Sequence, residues 1–571
     1  MSAGPRRALL ELSVSFIALG ILALAVSVPL LDLCFWGDDM PLLNAVSRFG
    51  FAELLFSPAR NIISQSSYMP LLGATLRVDW QVFGSNFLGY NLHSLFWLWA
   101  AGCSACLLLR EAEVERLGAL VGGAAVILAP ATVSVSGLYA TRHYLFGLAF
   151  AFLALASLLR WSKGGGRLMF GSALGFCFLA VLSKEIYVPL LLLAPLLIKL
   201  RRGSFRTAAF GCGAVFALYL GLRYIALPNF VGGYARSYDL TMVLVYFLKS
   251  LPRLAETLVW GGASPGVVSA IAAASGGIIV LSTGFLSWKK YKWPGILSFL
   301  ALVFLSLCVV APTLWVPSIR YAEDRIGCHG DRLAIVFSSS VWLSFIYLLF
   351  AGVKDLPQRR RTAVRVAALA IVPALFFFGG IRKAQAWRLN KITIPQARFM
   401  LQNADRKILV IAQPSAGLSF FVELLRGMRV DAAISAIELG PAAQRARLSG
   451  VPKETVSLVA GQVVVGVVFP PWAEASPAAP GDFPLYQAYM LRPGGAIIPA
   501  VSAAQTGEWI DWYNSEKMRL LPHSTRPSGA QGGPAGNSTR LPAQPEPKGA
   551  LYEAIKLVLA VPISKKVSSV A

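Results

Sequence analysis

Long apolar runs separated by short polar stretches dominate the chain from residue 10 to residue 380. A membrane-crossing helix needs about 20 mostly apolar residues. Eleven runs approach that length, at about 10–31, 91–109, 117–136, 144–160, 168–183, 186–199, 207–226, 264–286, 294–315, 333–352 and 364–380. The sixth is short, and Pro189 and Pro195 mark it as a kinked span. A cleaved signal peptide is the alternative for the first run, but its apolar stretch is long and no small-residue cleavage site precedes Trp36. Two long loops, about 32–90 and 227–262, interrupt the pattern. Amphipathic pieces within them, Leu42–Phe56 and Val243–Leu258, predict helices lying in the membrane interface.

After about residue 384 the pattern changes and no run reaches spanning length. KILVIAQ (407–413) and QVVVGVVF (462–469) read as buried strands, while Gln396–Asn403 and Gly417–Arg429 read as helices. The expected organisation is a membrane domain over 1–383, a small mixed α/β domain over 384–520, and a tail over 521–571. The tail is rich in Pro, Gly and Ser, with one short terminal helix, and is expected to be disordered.

Composition and charge sharpen this picture. Hydrophobic residues make up 56% of the chain and charged ones 14%, with a mean hydropathy of +0.62, whereas an ordinary soluble domain is about 25% charged. That excludes a disordered chain and a water-soluble globule of this size. The net charge of +24 could point to nucleic acid, but the basic residues sit in short clusters between apolar runs, so no nucleic acid is expected. If Arg6 and Arg7 are cytoplasmic, alternate loops are basic: Arg110 to Arg116, Arg160 to Arg167, Lys199 to Arg206, Lys289/Lys290/Lys292, and Lys354 to Arg365. The acids Asp38, Asp39, Glu53, Asp79, Glu185, Asp239, Glu256, Glu323, Asp324 and Asp331 fall on the other side. With eleven spans, everything after Arg382 is extracytoplasmic. Compact loops suggest a bacterial inner membrane.

Four polar clusters fall on that non-cytoplasmic side, where ionisable groups at span ends need a reason. Asp38-Asp39 follows the first span; adjacent carboxylates suit a general base or a cation bridging to phosphate, or they simply cap the next helix. Tyr139-Ala-Thr-Arg142-His143-Tyr144 offers an arginine fork for phosphate, or an interfacial anchor. Ser183-Lys184-Glu185 is either a self-neutralising pair or a lysine on phosphate beside a carboxylate ordering a sugar hydroxyl. Arg320, Tyr321, Glu323, Asp324, Arg325, His329, Asp331 and Arg332 crowd one loop more densely than anchoring requires, which favours a catalytic or anion-binding loop. Cys103, Cys106, Cys177, Cys212 and Cys308 lie in apolar runs and read as small core residues; Cys34 and Cys328 leave one outer bridge open. Four histidines with no metal-ligand spacing argue against a dedicated zinc site.

In this order the clusters resemble the GT-C superfamily of polytopic glycosyltransferases, in particular its protein O-mannosyltransferase and aminoarabinose-transferase branch. The resemblance rests on FWGDDMPLL after the first span, SSYMPLLGATLRVDWQVFGSNFLGYNLHSLFWLWAA (66–101), LYATRHYLFGLAFAFLALA and LAVLSKEIYVPLLLL, and covers about residues 10–380. Met69 stands where the family pattern often has Arg, and Asn91 where it often has His, with His93 nearby.

The resemblance implies a GT-C-like helical membrane protein that transfers a sugar, with inversion, from a polyprenyl-phosphate donor to an acceptor hydroxyl on a glycan, lipid or protein. It implies Asp38 or Asp39 as base, with Arg142, Lys184, Arg320 and Arg325 on the donor phosphate, and Glu185, Tyr68, His93 and His143 on substrate. No obligatory metal is expected, although relatives differ in using a divalent cation such as Mg or Mn. The rival functions are a ligase or polymerase of lipid-linked oligosaccharide and a flippase-type transporter.

Overall fold

The computed structural model describes residues 5–34, 39–56, 68–84, 86–191, 194–195, 204–227, 245, 248, 251–261, 266–308, 330–351, 353, 356–390, 393–395, 408–412, 435–438, 487–491 and 497–500. Among them eight helices are long and apolar enough to cross a membrane, and one bent pair raises the number to nine. The chain is an α-helical polytopic membrane protein. Of the eleven runs in the sequence, 186–199 is helical over its described residues 186–191 and 194–195, and 294–315 is helical as far as Cys308, where description stops.

The helices are α1 (Pro5–Ser27), α2 (Asp39–Arg48), α3 (Phe51–Phe56), α4 (Pro70–Phe83), α5 (Phe87–Glu111), α6 (Arg116–Leu128), α7 (Pro130–Ser136), α8 (His143–Ser162), α9 (Gly166–Ser183), α10 (Phe205–Ala226), α11 (Gly266–Cys308), α12 (Ile335–Ala351), α13 (Gln358–Ala374) and α14 (Ile381–Asn390). The chain separates into two compact units. The first comprises Met1–Phe83, Phe87–Gly262 and Ala270–Leu389, and the second Gly84–Asn86, Ala263–Ser269 and Asn390–Ala571.

In the first unit α5, α6 and α8 form the centre, with α1 and α12 against them, α9 on α8, and α10 on α9. Helix α1 shows how the sequence sorts its faces. Leu19, Ala23 and Val26 are buried, while Leu10, Ile17, Ile21 and Leu24 are exposed. An exposed stripe of large aliphatic residues suits hydrocarbon as solvent, not water. Where α5 meets α6, Gly102, Cys106 and Gly123 let the two backbones approach closely, as expected when packing must replace the hydrophobic effect. A Cβ on Gly123 would lie 2.7 Å from the Gly102 carbonyl oxygen. Cys103 and Cys106 are buried here, and Cys177 and Cys212 elsewhere in the bundle. Cys328 lies outside the described residues.

Two spans are broken at prolines. The single run expected over 117–136 bends by 54° between α6 and α7. Ala129, at φ −57° and ψ 131°, leaves the helical region immediately before Pro130, because the proline ring crowds the preceding residue out of that conformation. In the span Gln358–Gln385, Pro373 ends regular α13 bonding and Leu375–Gly380 widens into a π turn before α14. Helix α11 contains a third break: Lys292, at φ 57° and ψ −146°, separates two helices.

The long first loop folds onto the bundle. The expected interfacial piece 42–56 is present as α2 and α3, both packed on α4. Helix α4 buries Leu72, Leu76 and Asp79 on one face, placing a carboxylate in an otherwise apolar stripe. Within 243–258, the described residues 251–256 are helical.

In the second unit, β1 (Ile408–Ala412), β2 (Ser435–Glu438), β3 (Gln487–Leu491) and β4 (Ile497–Ala500) form one sheet in the order β2-β1-β3-β4. Strand β1 runs parallel to β2 and β3, with Leu409 opposite Ser435 and Ile408 opposite Gln487, and β4 pairs antiparallel with β3. Two parallel pairings require crossover connections, the mark of an α/β arrangement. Strand β1 coincides with the expected KILVIAQ strand. The expected strand 462–469, the expected helices Gln396–Asn403 and Gly417–Arg429, and the tail from 521 lie outside the described residues.

Candidate active site

A set of buried polar groups of the first unit gathers at one end of the bundle, where α2 and α8 begin and α9 and α10 finish. Arg142 caps α8 after a tight 3-10 turn, Tyr139–Thr141, and is completely buried. Its Nη1 donates to Asp79 Oδ2, its Nε donates to Ser94 Oγ at 3.1 Å, and its Nη2 donates to the Tyr90 carbonyl at 3.3 Å. The other oxygen of Asp79 meets His93 Nδ1. Trp97 donates its indole N–H to His93 Nε2 at 2.9 Å, and Arg142 Nη1 lies 2.8 Å from His93 Nδ1, so the imidazole sits between the ion pair and the indole. Two charges removed from solvent cost several kcal/mol each unless matched; here Asp79 matches Arg142 and orients His93 as well.

Asp39 is the first residue of α2 and is 1% exposed. Its Oδ1 accepts the Ala140 backbone N–H at 2.7 Å, tying the first loop to the 3-10 turn that precedes Arg142. The same turn is held from below by Tyr139, whose hydroxyl donates to Asn91 Oδ1 at 2.8 Å, while Asn91 donates to the carbonyls of Leu31 and Leu33.

Lys184 leaves α9 in extended conformation, followed by a 3-10 turn, Glu185–Tyr187. Its Nζ lies 3.0 Å from Met69 Sδ and 5.8 Å from the centre of the Tyr144 ring. Glu185 Oε1 accepts the Tyr68 backbone N–H at 2.7 Å and an Nη1 hydrogen of Arg223. Tyr68 donates its hydroxyl to the Leu55 carbonyl at 3.1 Å, and burial pushes its phenol up to about 12. Lys184 and Glu185 therefore clamp the 68–69 segment against α9 and α10.

His143 follows Arg142 as the first residue of α8. It is 3% exposed and neither ring nitrogen makes a well-formed hydrogen bond. Its ring centre is 4.4 Å from that of Tyr144, the ring that Lys184 Nζ approaches to 5.8 Å. A buried polar ring with unsatisfied nitrogens suits an anion or a hydroxyl-rich ligand.

Of the residues expected from sequence, Asp39, Arg142, His143, Lys184, Glu185, Tyr68 and His93 converge in this region. Asp38, Arg320 and Arg325 lie outside the described residues. Asp79 and Arg223 had not been singled out as site residues, although a carboxylate in the buried stripe of α4 and an arginine inside an apolar run were both available signals. Among the described residues, no three His, Cys, Asp or Glu side chains are grouped to hold a metal ion.

No protein-family model matches the chain, and no curated protein matches it. Among solved structures, it is similar to the Archaeoglobus fulgidus oligosaccharyltransferase tethered to an acceptor peptide, at 12% identity over 75% of this chain, with a TM-score of 0.39. The match spans 64% of the archaeal protein's length. It is also similar to ArnT from Cupriavidus metallidurans bound to undecaprenyl phosphate, at 14% identity over 86% of this chain and 93% of that one, with a TM-score of 0.35.

Proposed function

We propose that the chain is a GT-C-type glycosyltransferase that moves a sugar from a polyprenyl-phosphate donor to an acceptor hydroxyl at the extracytoplasmic face of the membrane. The observation that carries this is the buried, unsatisfied His143, within one turn of the Asp39–Ala140 link and packed on Tyr144, the ring that the Lys184 ammonium approaches to 5.8 Å. A polyprenyl tail partitions into the bilayer, so its phosphate arrives where the helices end. The leaving phosphate gains negative charge as the sugar–oxygen bond breaks, and nearby cations stabilise that change. Lys184, Arg320 and Arg325 are assigned to it. Arg142, turned toward Asp79, adds positive potential from the wall.

The acceptor hydroxyl needs a base at hydrogen-bond range. Asp39 already accepts a backbone N–H, so it suits positioning, and Asp38, its chain neighbour, is assigned as the base. Asp38 takes the hydroxyl proton, the acceptor oxygen bonds to the anomeric carbon from the face opposite phosphate, and polyprenyl phosphate departs with the bonding pair. Inversion follows from a single displacement. Glu185, Tyr68, His93 and His143 shape the sugar site. The cationic side chains make an obligatory metal unnecessary for a monophosphate leaving group, so transfer is expected to persist in the presence of a chelator. In this topology the C-terminal α/β unit is extracytoplasmic.

The test is mass spectrometry of surface glycans and lipids from cells lacking the chain, complemented with wild type or with Asp38→Asn. Loss of one sugar decoration, restored by wild type and not by a stably inserted Asp38→Asn, is expected. Full restoration by Asp38→Asn removes the base assignment. Build-up of lipid-linked precursor on the inner leaflet, with transfer intact, replaces the transferase by a flippase.

A further inference from the structure

A second site lies at the opposite end of the bundle. On α11, Leu281, Ser282, Phe285 and Leu286 form with Phe345 of α12 an apolar groove of about 500 Å³, a volume in the range of small-molecule and lipid sites. Ser282, Leu286 and Lys290 follow at four-residue intervals, so the groove runs along one helix face toward lysine. Lys289, Lys290 and Lys292 are exposed at that end, and no carboxylate among the described residues pairs with them. Lys290 Nζ is 5.2 Å from the ring centres of both Tyr291 and Tyr347, and the two tyrosine hydroxyls are hydrogen-bonded at 2.6 Å. Lys292, in left-handed conformation at the helix break, lies 5.7 Å from the Trp288 ring centre.

The aromatic rings and lysines mark the bilayer interface. We infer that the groove holds one acyl chain of an anionic phospholipid, with its phosphate against Lys290 and Lys292. The argument is charge complementarity beside an open apolar groove. A zwitterionic lipid would meet the same hydrocarbon wall but bring its own cation to the lysines. The position lies apart from His143 and Lys184, so the proposal stands whether or not the chain transfers sugars.

Native mass spectrometry of the purified full-length chain tests it, with phosphatidylglycerol and phosphatidylcholine of identical acyl chains titrated in turn. The expected result is one tightly retained phosphatidylglycerol, preferred on the order of tenfold over phosphatidylcholine. Combined Lys289→Gln, Lys290→Gln and Lys292→Gln should erase the preference while leaving weak binding of both lipids. Ser282→Phe, which fills the groove, should weaken both. Arg359→Gln with Arg360→Gln, on α13, should leave the preference unchanged. Equal retention of the two lipids by wild type, or a preference that survives the triple lysine change in a variant with wild-type melting, overturns the proposal.

Discussion

Arg142 and Asp79 stand sixty-three positions apart in the chain and form an ion pair with side-chain exposures of 0% and 1%. Each charge is tolerable only because of the other. Asp79→Ala leaves a buried guanidinium with only neutral acceptors, Ser94 Oγ, the Tyr90 carbonyl and the His93 ring, and Arg142→Ala leaves a buried carboxylate with only His93. Either change is expected to destabilise the protein by about 3–5 kcal/mol. The double change Asp79→Leu with Arg142→Met, which removes both charges, should recover most of that loss. Thermal melts in detergent for the two single variants and the double variant check this; additive losses in the double variant would show that the pair is not mutually dependent.

That pair also shows where sequence reasoning stops. The apolar periodicity marks the spans, and the motif clusters bring Asp39, Arg142, His143 and Lys184 into view, because charge at the end of an apolar run is conspicuous. Asp79 is not conspicuous: it sits in LRVDW within a long loop, where a solvated acid is unremarkable. Only the three-dimensional path of α4, burying Leu72, Leu76 and Asp79 together, turns it into a partner for α8. Arg223 is the opposite case, an ionisable residue inside an apolar run whose presence alone called for a buried acceptor, supplied by Glu185. The break before Pro130 was likewise readable in the chain. The tie between Asp39 and the Ala140 N–H was not, since a backbone donor carries no mark in sequence.

The crossing of α5 and α6 depends on absent side chains. A Cβ at position 123 would lie 2.7 Å from the Gly102 carbonyl oxygen, which has no flexible end to move aside. Gly123→Ala is expected to cost about 1–3 kcal/mol through overpacking. On α9, a Cβ added to Gly171 would meet nothing within 4 Å, so Gly171→Ala should be neutral or stabilise slightly, since alanine favours helix by up to about 1 kcal/mol. Melting temperatures of the two variants side by side separate close packing from helix propensity. Equal effects would mean that α5 and α6 can separate without penalty.

Lys184 offers a kinetic test of the phosphate assignment. Its ammonium lies against Met69 Sδ and the Tyr144 ring. Lys184→Gln keeps most of the side-chain volume and removes the charge. Transfer is expected to fall by about 100-fold, the scale of losing one electrostatic stabiliser of a developing anion, with the larger part in kcat. A pure rise in KM would make Lys184 a ground-state docking group. Wild-type donor kinetics would remove it from the phosphate site.

Asp32 makes stability depend on pH. Its Oδ2 accepts an Nη2 hydrogen of Arg388 at 3.0 Å, while Oδ1 is buried with no hydrogen-bond partner. Burial raises its pKa, and the charge and hydrogen bond of Arg388 offset only part of that rise. The folded state therefore holds this proton at pH values where the unfolded chain has released it. Stability from this group is fully present below the unfolded value of 3.8, declines as pH rises toward the folded value, and is level beyond it. Asp32→Asn has no such proton, so the melting temperature of wild type relative to Asp32→Asn should fall with rising pH across that window and then stay constant. Other carboxylates cancel in the difference. A difference that rises with pH would mean that Arg388 outweighs burial and that Asp32 is held ionised.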